Sequence, residues 1–246
     1  MLEEFPEELG SAAATPASEN LFKVDEASSA LKLSVERSAI FHQFVAQLLF
    51  ISSRSRRDIQ TAVAFLTTRV KSPDEHDWVK LRRVMKYLKD TRFLKLTLSA
   101  ENLRVLKWYL DSSYAVHPDC KGHTGGMLTL GKGAVTSGSR KQKLNGRSST
   151  EAEIIGVDDF MGPLLWTLCF MREQGYDATS NILMQDNQST MKLLINGQKS
   201  SSKRTKHINV RFFFAKDVID RGDMTVEYCP TREMWADVLS YPSLNR

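Results

Sequence analysis

Four acidic side chains stand where the hydrophobic pattern places the ends of strands and helices. Asp111 closes an apolar run over 104–109, in Trp108-Tyr-Leu-Asp-Ser-Ser113. Glu151 opens a long helical run, in Ser148-Ser-Thr-Glu-Ala-Glu153. Asp186 follows the apolar stretch 182–184, in Gln185-Asp-Asn-Gln-Ser189, and Asp237 lies on the last helix, in Met234-Trp-Ala-Asp-Val-Leu239. In a sheet whose central strands are neighbours, their ends converge with the helices beside them. Four carboxylates meeting there repel one another unless cations bind. Hard oxygen ligands with open positions suit Mg²⁺ or Mn²⁺, which keep waters and accept phosphate oxygens. Two such ions, about 4 Å apart, activate a water and stabilise the leaving oxygen of a phosphodiester.

The elements that must position these acids follow from periodicity. Helical spacing governs residues 36–92: Phe41, Phe44, Val45, Leu48 and Leu49 share one stripe, Ile59, Ala62, Val63 and Leu66 a second, and Trp78, Leu81, Met85 and Leu88 a third. Pro73 suits the start of the third helix. Beyond that the pattern changes to strands at 104–109, 122–130 and 134–139, with Gly131-Lys-Gly133 as a turn. A helix over 150–174 follows, stopped by Gly175 and kinked by Pro163. Then come a strand at 182–184, helices at 188–195 and 207–219, a strand at 224–228 and a last helix from about residue 231. Three hairpin-linked strands followed by crossovers imply an α/β fold, a mixed five-stranded sheet with flanking helices. It is preceded by a small helical subdomain. The expected organisation is a mobile lead-in over 1–20, a helical segment over 21–100 and the sheet domain over 101–246. With Thr150 as N-cap, Glu153 is the N3 partner of a capping box, which leaves Glu151 for metal.

Composition narrows the class. The chain has 246 residues, an ordinary apolar share of 41% and a net charge of +5. The start, Met-Leu-Glu-Glu-Phe-Pro-Glu-Glu, lacks the apolar centre of a secretory signal, and no membrane partner is expected. Cys120, Cys169 and Cys229 fit neither a disulfide framework nor a metal knuckle, so a reducing compartment is expected. Basic residues cluster without acids: Lys121, Lys132, Arg140, Lys141, Lys143 and Arg147 in one stretch, Lys203, Arg204, Lys206, Arg211 and Lys216 in another. Single-sign stretches suit a polyanion, and Lys141, Lys143, Arg204 and Lys206 are the expected phosphate contacts, with His207 beside them.

The motifs Gly146-Arg-Ser-Ser-Thr-Glu-Ala-Glu153, Gln185-Asp-Asn-Gln-Ser189 and Arg204-Thr-Lys-His-Ile208 resemble the ribonuclease H domain of copia-type retrotransposons. Upstream, Phe41-His-Gln-Phe-Val-Ala-Gln-Leu-Leu-Phe50, Asp58-Ile-Gln-Thr-Ala-Val-Ala-Phe65 and Arg83-Val-Met-Lys-Tyr-Leu88 resemble the segment that joins reverse transcriptase to that domain. The resemblance covers roughly residues 20–240. It implies a two-metal ribonuclease that cuts the RNA strand of RNA–DNA hybrids, using Mg²⁺ (or Mn²⁺) held by Asp111, Glu151, Asp186 and Asp237. It also implies that Gln188 reads the hybrid's minor groove, where the 2′-hydroxyl distinguishes RNA. The implied setting is intracellular, cytoplasmic or nuclear, in a virus-like particle where the element is active. Some positions depart from the family. Arg57 replaces a usual proline, Ser240-Tyr-Pro242 replaces Thr-Lys-Pro, and no histidine lies over 229–237. The polymerase palm is missing, so a palm domain supplied in trans is a further implied partner. The rival reading is a truncated or repurposed fragment that binds nucleic acid without catalysis. A retroviral-type integrase core is rejected, because its last two acids run Asp then Glu and here the order is reversed.

Overall fold

Alternation in the segment around Asp111 decides the architecture. Leu106, Trp108 and Leu110 are buried while Lys107 is exposed, so the strand Val105–Ser113 (β1) turns one face to a core. The computed structural model describes residues 1–24, 31–197 and 209–241, with the side chains of 209–212 excepted. Contacts divide it into two units, Met1–Leu96 and Thr97–Ser240.

The second unit is built on a five-stranded mixed sheet. After β1 come His123–Thr129 (β2), Thr136–Lys141 (β3), Ser180–Gln185 (β4) and Thr225–Tyr228 (β5). Their spatial order is β3-β2-β1-β4-β5, with β1 at the centre. β2 runs antiparallel to β1 and to β3, while β4 runs parallel to β1 and β5 parallel to β4. This is the mixed five-stranded sheet with flanking helices that the pattern implied. The helices are Ser149–Glu173 (α4), Gln188–Asn196 (α5), Asn209–Asp220 (α6) and Asp237–Ser240 (α7). Adjacent glycines of β2 show which helix covers which face. A Cβ on Gly125 would meet Leu239 of α7, and one on Gly126 would meet Phe160 of α4. The main core joins Leu106, Trp108, Leu110 and Leu183 of the sheet to Val157, Phe160, Leu164 and Leu168 of α4 and to Val218 of α6. α4 is long and apolar enough to cross a membrane, but half of that stretch is buried here against the sheet. It also continues through Pro163, with no break in the helix there.

The first unit contains Val35–Arg54 (α1), Gln60–Thr67 (α2) and Glu75–Asp90 (α3), the latter two preceded by a short turn of helix at Arg57–Ile59 and by Pro73, respectively. Asp74, not Pro73, starts α3: its side chain accepts from the Asp77 amide, and Asp77 answers in a reciprocal box. The expected stripes are buried, except that Leu49 is half exposed. The lead-in also departs from expectation. Phe5, Leu9 and Ala17 are buried. Phe5 packs edge-on against Phe44 at 5.1 Å and stacks on Trp78 at 5.8 Å, while Trp78 Nε1 donates to Glu7 at 2.7 Å. The Ser- and Ala-rich composition of 11–18 masks these few anchors, which suffice to tie the segment down.

The end of the chain differs too. The expected single last helix is two short pieces, a turn of helix at Thr231–Glu233 and the four-residue α7. Asp237 is therefore the first residue of a helix, and Met234, with extended backbone, separates the pieces.

Candidate metal centre

Register brings the first two acids together. Tyr109 of β1 lies opposite Met184 of the parallel strand β4. Asp111 and Asp186 each stand two residues further on, Asp111 near the C-terminal end of β1 and Asp186 just past that of β4. The third acid comes from α4. Ligand oxygens of Asp111, Glu153 and Asp186 lie within 4.8 Å of one another.

The glutamate is thus Glu153, and the expectation for Glu151 is corrected. The N-cap of α4 is Ser148, not Thr150; its hydroxyl accepts from the Glu151 amide at 3.2 Å. Glu151 is then the N3 residue, and its carboxylate turns back to accept from the Arg147 amide at 2.7 Å. Moving the cap by two residues exchanges the roles of the two glutamates. Glu153 shares the face of α4 that carries Val157, Phe160 and Leu164 into the core. That face points its carboxylate at β1.

Each member of the cluster is held by a neighbour. Glu153 accepts from the Ser112 amide at 3.2 Å and from the side chain of Gln185, which is fully buried, at 3.3 Å. Gln185 also accepts from the Asn187 amide at 2.9 Å, so its orientation is set from both ends. Asp186 accepts from the Thr231 hydroxyl at 2.9 Å. Asp111 accepts from the Ser240 hydroxyl. Gln185 and Thr231 were not singled out in the sequence; Gln185 carried a usable signal, a polar residue at a core-facing position of an apolar strand.

The electrostatics are those of crowded, buried carboxylates. Burial pushes the Glu153 carboxyl well above the usual range, and the charges of Asp111 and Asp186 push it further. Asp111 is also raised, first by burial; the Ser240 hydrogen bond opposes this, and the Asp186 charge adds to it. The donors are hard carboxylate oxygens drawn from three elements, a set that fits Mg²⁺ or Mn²⁺ better than a softer metal.

The remaining expected residues are distributed as follows. Asp237 is buried at the start of α7 but is not one of the three mutually close carboxylates. Gln188 is the exposed first residue of α5, whose N-cap is Asn187. Lys141 forms an ion pair with Asp119 at 2.8 Å, and Lys143 is exposed. Arg204, Lys206 and His207 lie outside the described residues. Asp158 and Asp159 of α4 are half-buried, and Asp159 accepts from Thr124 at 3.3 Å.

No family model matches the chain. It is 29% identical over 197 residues to the retrovirus-related Pol polyprotein from transposon TNT 1-94 of Nicotiana tabacum, an alignment covering 80% of this chain and 15% of that protein. It is 30% identical over 190 residues to the Pol polyprotein from transposon RE2 of Arabidopsis thaliana, covering 76% of this chain and 13% of that one. The chain therefore spans about a seventh of these relatives. Among solved structures, LC11-RNase H1, isolated from compost, aligns with a TM-score of 0.41 at 13% identity, over 55% of this chain and 92% of that one.

Proposed function

We propose, from the premise that this chain's homologues are retrovirus-related Pol polyproteins of copia-type plant transposons, that the unit Thr97–Ser240 is a ribonuclease H that hydrolyses the RNA strand of RNA–DNA hybrids internally. The observation that carries the reading is the meeting of Asp111, Glu153 and Asp186 within 4.8 Å at the ends of two parallel central strands. Asp237, on the short helix that also delivers Ser240 to Asp111, is the proposed fourth ligand. When bound, a pair of divalent cations supplies an activated water and charge to offset the leaving oxygen.

The protein's own part is to hold oxygens in place. Ser112 and Gln185 fix both oxygens of Glu153, Thr231 fixes Asp186, and Ser240 fixes Asp111. Such preorganisation keeps like charges together so that they need no rearrangement when cations arrive. Gln188, exposed two residues after Asp186, is proposed to meet a nucleic-acid groove, where the 2′-hydroxyl is the feature that selects RNA. Lys143, with Lys141, Arg204, Lys206 and His207, is proposed to contact phosphates, adding affinity without sequence preference. The unit Met1–Leu96 is proposed as a segment like the one joining reverse transcriptase to the ribonuclease.

The test uses the full chain with a hybrid labelled in its RNA strand. Internal cleavage with Mg²⁺ or Mn²⁺ is expected, and none in chelator; single-stranded RNA and double-stranded DNA should stay intact. The assay is repeated with a copia-type polymerase added, because a palm domain in trans would help hold the substrate. A folded chain that binds hybrid but shows no metal-dependent cleavage in either format would establish the binding fragment instead.

A further inference from the structure

A buried histidine pair has no part in the chemistry above. His117, in the connection between β1 and β2, places Nε2 3.0 Å from Nδ1 of His123, the first residue of β2. Nε2 of His123 lies 2.7 Å from the hydroxyl of Ser139 in β3, and that hydroxyl donates to the Leu239 carbonyl at 2.7 Å. A hydroxyl has one proton to give. Since Ser139 gives it to Leu239, it accepts from His123. His123 therefore carries its proton on Nε2 and receives one from His117 on Nδ1. The relay has a single direction, from the hairpin connection, across two strands, into α7.

The far end of the relay adjoins the carboxylates. Leu239 is followed by Ser240, whose carbonyl accepts from Ser113 at 3.0 Å and whose hydroxyl donates to Asp111. Gly125 lies opposite Asp111 in the β1–β2 pairing, and a Cβ there would stand 2.5 Å from the Leu239 carbonyl carbon. The missing side chain lets α7 lie directly on the sheet. A four-residue helix has too few internal hydrogen bonds to hold its own position. Its end is held by donors from Ser139 and Ser113. Both rings are buried, at 4% and 0% exposure. Burial, chiefly, lowers the pKa of His117 to about 4 and of His123 to about 3; Lys141 and Lys121 face His117 and add to the effect, while Asp119 opposes it. Near neutral pH both rings are therefore uncharged, as the single-direction relay requires.

We infer that His117, His123 and Ser139 are positioning residues for the metal centre: they seat the end of α7 so that Ser240 stays on Asp111. The inference rests on the reading of the carboxylates as a metal site. It makes a hydrogen-bond chain through β2 and β3 a determinant of metal affinity, although none of its members offers the metal a ligand.

The test compares Ser139→Ala with Ser139→Thr in the full chain, since only threonine keeps the hydroxyl. Mn²⁺ binding by titration calorimetry and amide exchange of residues 237–240 are the readouts, with kcat and KM on hybrid as a third. Ser139→Ala should weaken Mn²⁺ binding on the order of tenfold, the usual scale for an outer partner of a metal site. It should speed exchange in α7 and lower kcat at unchanged KM, and Ser139→Thr should restore all three. An alanine variant that melts earlier but keeps wild-type Mn²⁺ affinity overturns the inference and leaves the ribonuclease reading standing. Wild type that binds no Mn²⁺ brings down both. For an alanine variant that does not fold, His117→Leu against His117→Gln makes the same comparison, because only glutamine keeps a donor toward His123.

Discussion

Glu151 and Glu153 are two residues apart, both buried and both hydrogen-bonded to a backbone amide, yet their roles differ. Glu151 closes the N-terminus of α4, where a carboxylate also favours the helix dipole. Glu153 faces two other carboxylates and is pushed well above the usual acid range by burial and by their charge. Glu153→Gln should therefore abolish metal-dependent cleavage while leaving the fold intact, since it relieves repulsion in the metal-free state. Glu151→Gln should keep most of the turnover and cost roughly 0.5–2 kcal/mol of stability, the scale of a weakened N-cap. Cleavage rates and urea midpoints of the two variants decide the assignment; the reverse ranking of activities would return Glu151 to the site. Asp111 and Asp186 were legible in the sequence because each directly follows an apolar run of a central strand. Glu153 was not, because Ser148, Ser149 and Thr150 are three successive residues able to cap a helix. Local preference does not choose among them. The choice is made by the face of α4 that packs on the sheet, where Glu153 lines up with Val157, Phe160 and Leu164.

Between elements, one close approach sets how far Glu153 can reach. A Cβ on Gly156 would stand 2.2 Å from the Ser112 hydroxyl oxygen, so α4 lies directly against the Ser112 side chain of β1 there. One turn before it on the helix, Glu153 accepts from the Ser112 amide. Gly156→Ala should push the helix away from the strand, with a cost of about 1–3 kcal/mol for overpacking. Because the shift carries Glu153 off its amide donor, the loss of Mg²⁺-dependent turnover should exceed what the fraction unfolded explains. Thermal melts and cleavage measured on one preparation test this; normal turnover in a destabilised variant would show that α4 has room to adjust. The five strands and α4–α6 were legible from periodicity, because each is long enough for its apolar face to repeat. α7 was not. Its four residues span about one turn, and sheet contacts through Gly125, Ser113 and Ser139 form it more than its own propensity does. The lead-in was misread for a similar reason: Phe5 and Leu9 have no periodic neighbours, and their burial depends on α1 and α3 being present.

At the scale of the molecule, two sets of buried groups bind protons with opposite effects on stability. His117 and His123 stay neutral in the folded state down to pKa values of about 4 and 3, against 6.5 in the unfolded chain. Their contribution is complete above pH 6.5 and is lost as the pH falls from there toward 4, because unfolding then takes up protons. Glu153 and Asp111 behave in the other sense. Their folded pKa values are raised, so the folded state keeps protons that the unfolded chain releases, and their contribution is lost as the pH rises through those raised values. As the pH falls from 6.5 the histidines should tilt the balance toward unfolding, by about one proton for the pair at pH 6.5 and nearly two near pH 5.5, so the slope approaches roughly 1.4 kcal/mol per pH unit for each ring. Urea unfolding of the metal-free protein at pH 7.5, 6.5, 5.5 and 4.5 measures the net slope. The same series on a His117→Leu, His123→Leu variant removes the histidine part. The variant, weaker at neutral pH because the relay is cut, should show a shallower acid loss, and the two stability curves should draw together toward pH 4.5. Parallel curves would mean that the rings take up their protons in the folded state as readily as in the unfolded one. A buried, neutral, single-direction relay into α7 would then be untenable.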